Sequence, residues 1–394
     1  MRILVYTSLY PCSANPLHGI FVSELVDSLA RVAQVMVMAP EDGIRRLLTY
    51  SPRVGKTAQK NDAVLRCRYW HIPKIFKSLD FRFMAWSSRK VFQQALAFCP
   101  DLVHAHYAYP DGAAAAVLAA RAGLPLVITC HGSDINMLAR SPSRRRPIAW
   151  GLRQAASVVA VSHDLAEKIA DLGIPASRIR HIPNGVDLSR FSLGDKFKAR
   201  AALGLVADVP WLVAAGRLEP VKGYDRLLRA VARLENVHLL LVGDGGQRPN
   251  LERLSRELDI SDRVRFVGRV GRDGLSVYYQ AAEALVLSSH SEGWPTVIHE
   301  ALACGRPVVA PAVGGIPEAL ADPNLGLLLA SAEPDILAAG TRRTLASHWE
   351  PAVLRQAAMA HAWDNVAARH LGLYSEALKR ATPPQQEEAR NHGY

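Results

Sequence analysis

Short unbroken apolar runs alternate with amphipathic stretches along most of this chain, in two successive series. In the first, residues 3–7, 35–39, 102–105, 126–130 and 158–161 read as strands, and 20–31, 83–98, 112–121 and 164–172 as helices. In the second, strands fall at 212–215, 238–242, 264–267, 284–287 and 308–310, with helices at 224–234, 248–258, 275–281, 296–303 and 316–320. Strands that are apolar on both faces need cover on both faces. The pattern therefore predicts an α/β architecture of parallel sheets with helices on both faces. Such sheets bind ligands beyond the carboxyl ends of their strands. A chain of 394 residues exceeds one ordinary core and suits two domains. The division falls at the turn His181-Ile182-Pro183-Asn184-Gly185, ahead of a polar stretch reaching Arg200. Domains are expected over 1–183 and 184–364.

Composition narrows the setting. Five scattered cysteines (Cys12, Cys67, Cys99, Cys130, Cys304) are odd in number and form no C-x-x-C, which suits reduced thiols in a cytosolic protein rather than disulfides or a zinc site. The apolar start at residues 3–7 is short and runs into a turn at 11–16, so it reads as a first strand and not a signal peptide. No apolar run is long enough to span a bilayer. The formal net charge of +11 favours an acidic partner. Nucleic acid is not expected, because no nucleic-acid motif is present. An anionic membrane surface fits better. Aromatic and basic residues mix at 66–77 and 81–86, and Arg144-Arg145-Arg146 follows later. The alternative for these segments is a part-buried strand and loop with solvated charges. The expected location is cytoplasmic, peripheral to the membrane's inner face.

The most informative stretch is Ser291-Glu292-Gly293-Trp294-Pro295-Thr296-Val297-Ile298-His299-Glu300. Pro295 suits the first turn of a helix, which places Glu292 in the loop ahead of it and Glu300 more than a turn inside. The helix start offers unpaired N–H groups at Thr296 and Val297 and the positive end of its dipole, a site for an anion such as a diphosphate. Carboxylates flanking that site would repel the anion but would suit neutral hydroxyls attached to it. A sugar nucleotide has that shape. Earlier, Gly216-Arg217-Leu218-Glu219-Pro220-Val221-Lys222-Gly223 closes a strand with a guanidinium fork and a mobile ammonium, both suited to a diphosphate leaving group. Gly243-Asp244-Gly245-Gly246 and Phe266-Val267-Gly268-Arg269-Val270 are further turns after strands, and Asp244 is equally suited to turn formation alone. Downstream, Gly314-Gly315-Ile316-Pro317-Glu318 is a second glycine-rich entry into a helix.

In the first half, Gly19 enters a helix where a backbone could approach a phosphate closely. His131-Gly132-Ser133-Asp134 ends a buried strand, with Asp134 placed to hold the histidine tautomer or to touch an acceptor. His104-Ala105-His106-Tyr107 leads to a helix expected to be capped by Asp111. Its H-x-H has no third ligand at suitable spacing, so a metal is not read there; Tyr107 is placed on the acceptor side.

Together these motifs resemble GT-B glycosyltransferases, specifically the retaining family 4 group with its E-x7-E. The resemblance covers almost the full length and is strongest in the second half. Within the family the first half looks most like bacterial enzymes of exopolysaccharide or teichuronic-acid assembly. It implies two Rossmann-like domains facing a cleft, with a helix over 365–380, after a break at Trp363-Asp364, crossing back to the first domain. Residues 381–394 are expected to form a mobile tail.

The implied reaction moves a hexose from a UDP- or GDP-linked donor to a glycan or lipid-linked acceptor. His131 would act at the reacting sugar. Arg217, Lys222, Thr296 and Val297 would hold the diphosphate. Glu300 would accept from ribose and Glu292 from the transferred sugar, while Gly19, Asp244 and Val270 would line the donor. No D-x-D metal clamp is present, so no metal or other cofactor is expected. Proline at 295, where many members carry glycine, removes one backbone donor. A nucleotide-sugar epimerase of the same fold and a non-catalytic sugar-nucleotide-binding subunit remain alternatives.

Overall fold

The computed structural model describes residues 1–12, 15–43, 64–70 and 77–381. The portion of the basic aromatic segment at 71–76, and the polar tail from 382 onward, lie outside the described residues. The chain forms two compact units, Met1–Pro183 with Asp364–Tyr394, and Asn184–Trp363.

Unit 1 is built on seven parallel strands: β1 (Arg2–Tyr6), β2 (Gln34–Asp42), β3 (Val64–Tyr69), β4 (Leu102–His106), β5 (Leu126–Cys130), β6 (Ser157–Ala160) and β7 (Ile179–His181). Their order is β3-β2-β1-β4-β5-β6-β7. The central strands are the apolar runs read from the sequence: Ile3, Leu4, Val5, Val127 and Ile128 are all fully buried. The winding direction reverses between β1 and β4, which leaves an opening beyond their carboxyl ends.

The C-terminal helix, Trp363–Ala381, completes unit 1. The break ahead of it falls at 360–362 rather than at Trp363-Asp364, so the helix already includes both residues. Asp364 sits in the first turn, where a carboxylate favours the positive helix end. It also accepts from Ser28 Oγ at 2.6 Å and Arg31 at 2.8 Å. Further along, Arg369 donates to the His181 carbonyl at 2.6 Å, and Tyr374 bonds His104 Nδ1 at 2.7 Å inside the core.

Unit 2 carries six parallel strands: β8 (Trp211–Ala215), β9 (His238–Val242), β10 (Val264–Gly268), β11 (Ala284–Val286), β12 (Val308–Pro311) and β13 (Gly326–Leu329). The order β10-β9-β8-β11-β12-β13 reverses between β8 and β11. Leucines from β9, with Leu227, Leu228 and Val231 of the Tyr224–Val231 helix, fill its core. Among the described residues no helix is long and apolar enough to cross a membrane.

Candidate functional site

In unit 2 the sequence motifs gather at the β8/β11 reversal. Lys222, after β8, places its Nζ 2.7 Å from Glu292 Oε1, after β11. Ser289 Oγ donates to the same carboxylate oxygen at 2.6 Å. Glu292 is only 8% exposed, so the pair is largely shielded from water. The approach is fixed by backbone rather than side chains. At Gly223, with φ +60°, an added Cβ would lie 2.2 Å from the Ser288 carbonyl oxygen. At Gly314, with φ +55°, it would lie 1.9 Å from that of Glu292. Both positions therefore require glycine, and together they pin the Glu292 loop between two neighbouring turns.

The Thr296–Ala303 helix starts directly after this loop, with bounds as the sequence predicts. Pro295 precedes the helix instead of opening it. Its φ of −79° and ψ of 93° are extended, and its carbonyl accepts the first bond, from Ile298 at 3.0 Å. The N–H groups of Thr296 and Val297 come before that bond, and both residues are half-buried. Glu300, on the same helix, accepts from Tyr279 Oη at 2.7 Å. Burial, reinforced by Glu300, pushes the Tyr279 hydroxyl far above its ordinary pKa, so it stays a donor. Sequence reasoning missed Ser289 and Tyr279. Neither lies in a motif, and each is recognisable only once the strands are paired.

The remaining donor-side residues are arranged less tightly. Arg217 does not join Lys222: its side chain is 79% exposed and pairs with Glu219 at 2.8 Å. Asp244 behaves as a turn former. Its carboxylate accepts from Gly245 N at 2.9 Å, and its carbonyl from Leu218 N at 3.1 Å. Gly216 N bonds the Val242 carbonyl and Gly243 N that of Gly268, both at 2.9 Å, so the turns after β8, β9 and β10 are laced together. Val270 lies half-buried just beyond the last of them.

In unit 1 the corresponding residues lie beyond β1, β4 and β5. Gly19 opens the Ile20–Leu29 helix at φ +64°, and an added Cβ there would meet the Leu9 carbonyl oxygen at 2.2 Å. His131, just past β5, packs against Phe21 at 4.6 Å between ring centroids. Burial holds its pKa down at about 3, with a smaller contribution from His370, so the ring is neutral.

Two expectations change here. Asp134 is fully buried and does not reach the His131 ring. Its carboxylate accepts backbone N–H bonds from Ala108, His131, Gly132 and Ile135 at 2.9–3.2 Å. The ring's partner is His106, whose Nδ1 lies 3.1 Å from His131 Nε2. Asp111, in turn, does not cap the following helix. Ala113–Ala122 has no side-chain cap, and Asp111 accepts instead from the backbone N–H of Ser8 and from Ser8 Oγ at 3.1 Å. It thereby ties the β1 loop to the segment after β4, and burial raises its pKa to about 7. Tyr107 adopts φ +81° and its hydroxyl bonds Ser133 Oγ at 2.8 Å.

The sequence also matches known proteins. The pattern "Glycosyl transferases group 1" covers residues 195–361, and "Glycosyltransferase Family 4" covers 19–190. A "putative teichuronic acid biosynthesis glycosyltransferase TuaC" of Bacillus subtilis (strain 168) is 33% identical over 368 residues, spanning 90% of this chain and 92% of that protein. This chain belongs to glycosyltransferase family 4. A "D-inositol 3-phosphate glycosyltransferase" of Mycolicibacterium gilvum is 35% identical over 313 residues, 74% of this glycosyltransferase and 70% of its relative. The sucrose-phosphate synthase of Thermosynechococcus elongatus superposes with a TM-score of 0.81 at 25% identity, over 97% of this chain and 99% of that one. The two doubly wound units thus have the GT-B architecture, and the chain is a transferase of sugars.

Proposed function

We propose that this glycosyltransferase uses a nucleotide-diphospho-sugar donor, retains the anomeric configuration, and delivers the sugar to a glycan or lipid-linked acceptor. The observation that carries the reading is the Lys222–Glu292 contact beside the start of the Thr296–Ala303 helix. One oxygen of Glu292 is used by Lys222 and Ser289, and its second oxygen serves a hydroxyl of the transferred sugar. Lys222 shares its remaining donors with the diphosphate, joined by Thr296 N–H, Val297 N–H and the exposed Arg217 fork. These groups neutralise the leaving diphosphate, so no metal is assigned to it. Glu300, steadied by Tyr279, accepts from the ribose. The glycosidic C–O bond to phosphate breaks, and the acceptor oxygen bonds to the same face of the sugar carbon. The acceptor's proton passes to the departing phosphate oxygen. His131 donates a hydrogen bond to a substrate hydroxyl.

Calorimetry and turnover with a panel of nucleotide sugars test this. Glu300→Ala should weaken donor binding by about tenfold to a hundredfold, the worth of one or two charge-assisted hydrogen bonds, while turnover at saturation changes less. Unaltered affinity in that variant would remove Glu300 from the donor site.

A second reading concerns where the acceptor is found. Trp86 (64% exposed) and Phe83 (36%) project from the Asp80–Ala95 helix of unit 1. Phe81 of that helix lies 5.6 Å from Trp150 of the Pro142–Gln154 helix, which also carries Arg144, Arg145 and Arg146. Apolar rings beside clustered cations suit an anionic bilayer surface. The protein should co-sediment with vesicles containing phosphatidylglycerol and lose most of that binding in Trp86→Ser with Arg145→Ser. Equal sedimentation with neutral vesicles would refute this reading.

A further inference from the structure

Tyr224 opens the Tyr224–Val231 helix, directly after the Lys222-Gly223 turn. Its ring shares the apolar core of unit 2 with Leu218, Leu227 and Leu228. A phenylalanine would fill that place equally well, so packing accounts for the ring and not for the hydroxyl. The residue is only 5% exposed, and among the described residues its hydroxyl has no hydrogen-bond partner. A hydroxyl drawn this far from water costs free energy unless something bonds it.

The oxygen sits at the end of β8, on the side of the Lys222–Glu292 contact. A Cβ added at Gly216, the residue that follows β8, would stand 2.8 Å from Tyr224 Oη and 3.7 Å from Lys222 Cε. The missing side chain of Gly216 is therefore the space into which the phenol oxygen and the lysine stem both reach. Lys222 Nζ continues to Glu292 Oε1 at 2.7 Å. The Glu292 carboxylate is near enough to reinforce burial in pushing the Tyr224 hydroxyl far above its ordinary pKa, so the phenol keeps its proton.

These three groups differ in what they can offer. The carboxylate only accepts and the ammonium only donates, whereas the phenol can do both. Oε1 of Glu292 is taken by Lys222 and Ser289. Tyr224 Oη is the member of the group that no bond within the fold employs. An oxygen-rich ligand gripped by Lys222 lies within its reach.

We infer that Tyr224 is a further donor-binding residue, whose hydroxyl hydrogen-bonds an oxygen at the sugar-phosphate end of the nucleotide sugar beside Lys222 and Glu292. This rests on the donor proposed above. A sugar hydroxyl that donates to Glu292 has lone pairs left over, and a phosphate oxygen held by Lys222 has room for a second donor. The phenol O–H meets the same need in either case.

The test is Tyr224→Phe in the full chain, which keeps the ring and removes one oxygen. Calorimetry with UDP and GDP, and with the panel of UDP- and GDP-sugars, compares it with the parent. Affinity for the nucleotide sugar should fall about threefold to tenfold, the worth of one neutral hydrogen bond. Retained affinity for the nucleoside diphosphate would place the bond on the sugar, and an equal fall for both would place it on the diphosphate. The ligand-free variant should melt no lower than the parent, because the oxygen removed has no partner in the fold. Unchanged affinity for both kinds of ligand overturns the inference. So does a variant that melts well below the parent, which would show the hydroxyl to be bonded within the fold. A parent protein that binds none of the panel would instead overturn the proposed donor, and this inference with it.

Discussion

Glu292→Ala should reduce turnover by about a hundredfold to a thousandfold while leaving donor KM within a few-fold, as expected for an interaction made mainly in the transition state. The carboxylate is 8% exposed, pinned by Gly223 and Gly314 through their close approaches to the Ser288 and Glu292 backbone, and already oriented by Ser289. In the proposed reaction it would therefore meet the sugar without having to order itself first. A competing explanation is that Glu292 acts only by pairing Lys222, so that its removal harms the enzyme by freeing an ammonium group. The two accounts separate in a double-mutant cycle. If pairing were the whole role, Lys222→Ala with Glu292→Ala would recover much of the activity lost in Glu292→Ala alone. We expect no recovery, because the proposed reaction has both residues contacting the substrate. Recovery, or a Glu292→Ala enzyme with more than about a third of the parent's turnover, would overturn the assignment.

The second large effect is on stability in acid. Burial lowers the pKa of His104, His106, His131, His299 and His370, to about 3 for His131 and about 4 for His370. In the unfolded chain these groups return to 6.5. Each therefore contributes stability above pH 6.5 that is lost as pH falls through its depressed folded value. His131 and His370 alone should remove about 4 kcal/mol between pH 7 and pH 5, roughly 2 kcal/mol each. The other three act in the same direction. Asp111 works against them. Its folded pKa of about 7 exceeds the unfolded 3.8, so its contribution is lost as pH rises and returns on acidification, giving back roughly 2 kcal/mol over the same interval. Asp134, whose pKa burial also raises, acts with Asp111; His131, His370 and Asp111 together leave a loss of about 2 kcal/mol, a sizeable share of the 5–15 kcal/mol typical of a domain. Urea titrations at pH 7 and pH 5 should show it, and His370→Gln should lose about 2 kcal/mol less than the parent. Identical losses in the two proteins would mean that His370 titrates normally.

The sequence made the paired sheets and the helix at Thr296–Ala303 legible because those strands are apolar on both faces and glycine or proline punctuates their ends. Several elements it did not reveal are edge strands or strongly charged helices. β3 (Val64–Tyr69) alternates exposed Arg66 and Arg68 with half-buried Cys67 and buried Tyr69 at the sheet edge, so its charges resembled a basic surface segment, with a part-buried strand only as the alternative. β7 and β13 are also edge strands, three and four residues long, too short to show a period. The Pro142–Gln154 helix carries three consecutive arginines and an internal proline, which obscure its apolar face of Ile148, Ala149 and Leu152. At the site, residue types and spacing pointed to Glu292, Lys222 and Glu300. Their actual neighbours, Ser289 and Tyr279, depend on strand pairing. His106 stood in plain view as part of H-x-H, but its bond to His131 follows from the β4–β5 register, which one sequence does not display.

The route of the backbone has a consequence for how the protein can be made. Unit 2 is one continuous stretch, whereas unit 1 closes only when Tyr374 and Arg369 arrive from the far end of the polypeptide. During synthesis the later-encoded unit can therefore finish first, while the earlier one waits on the ribosome for its last helix. A gene fragment ending at residue 183 would yield a protein with an uncovered His104. A useful dissection would need 364–381 supplied as a second peptide or grafted on by circular permutation.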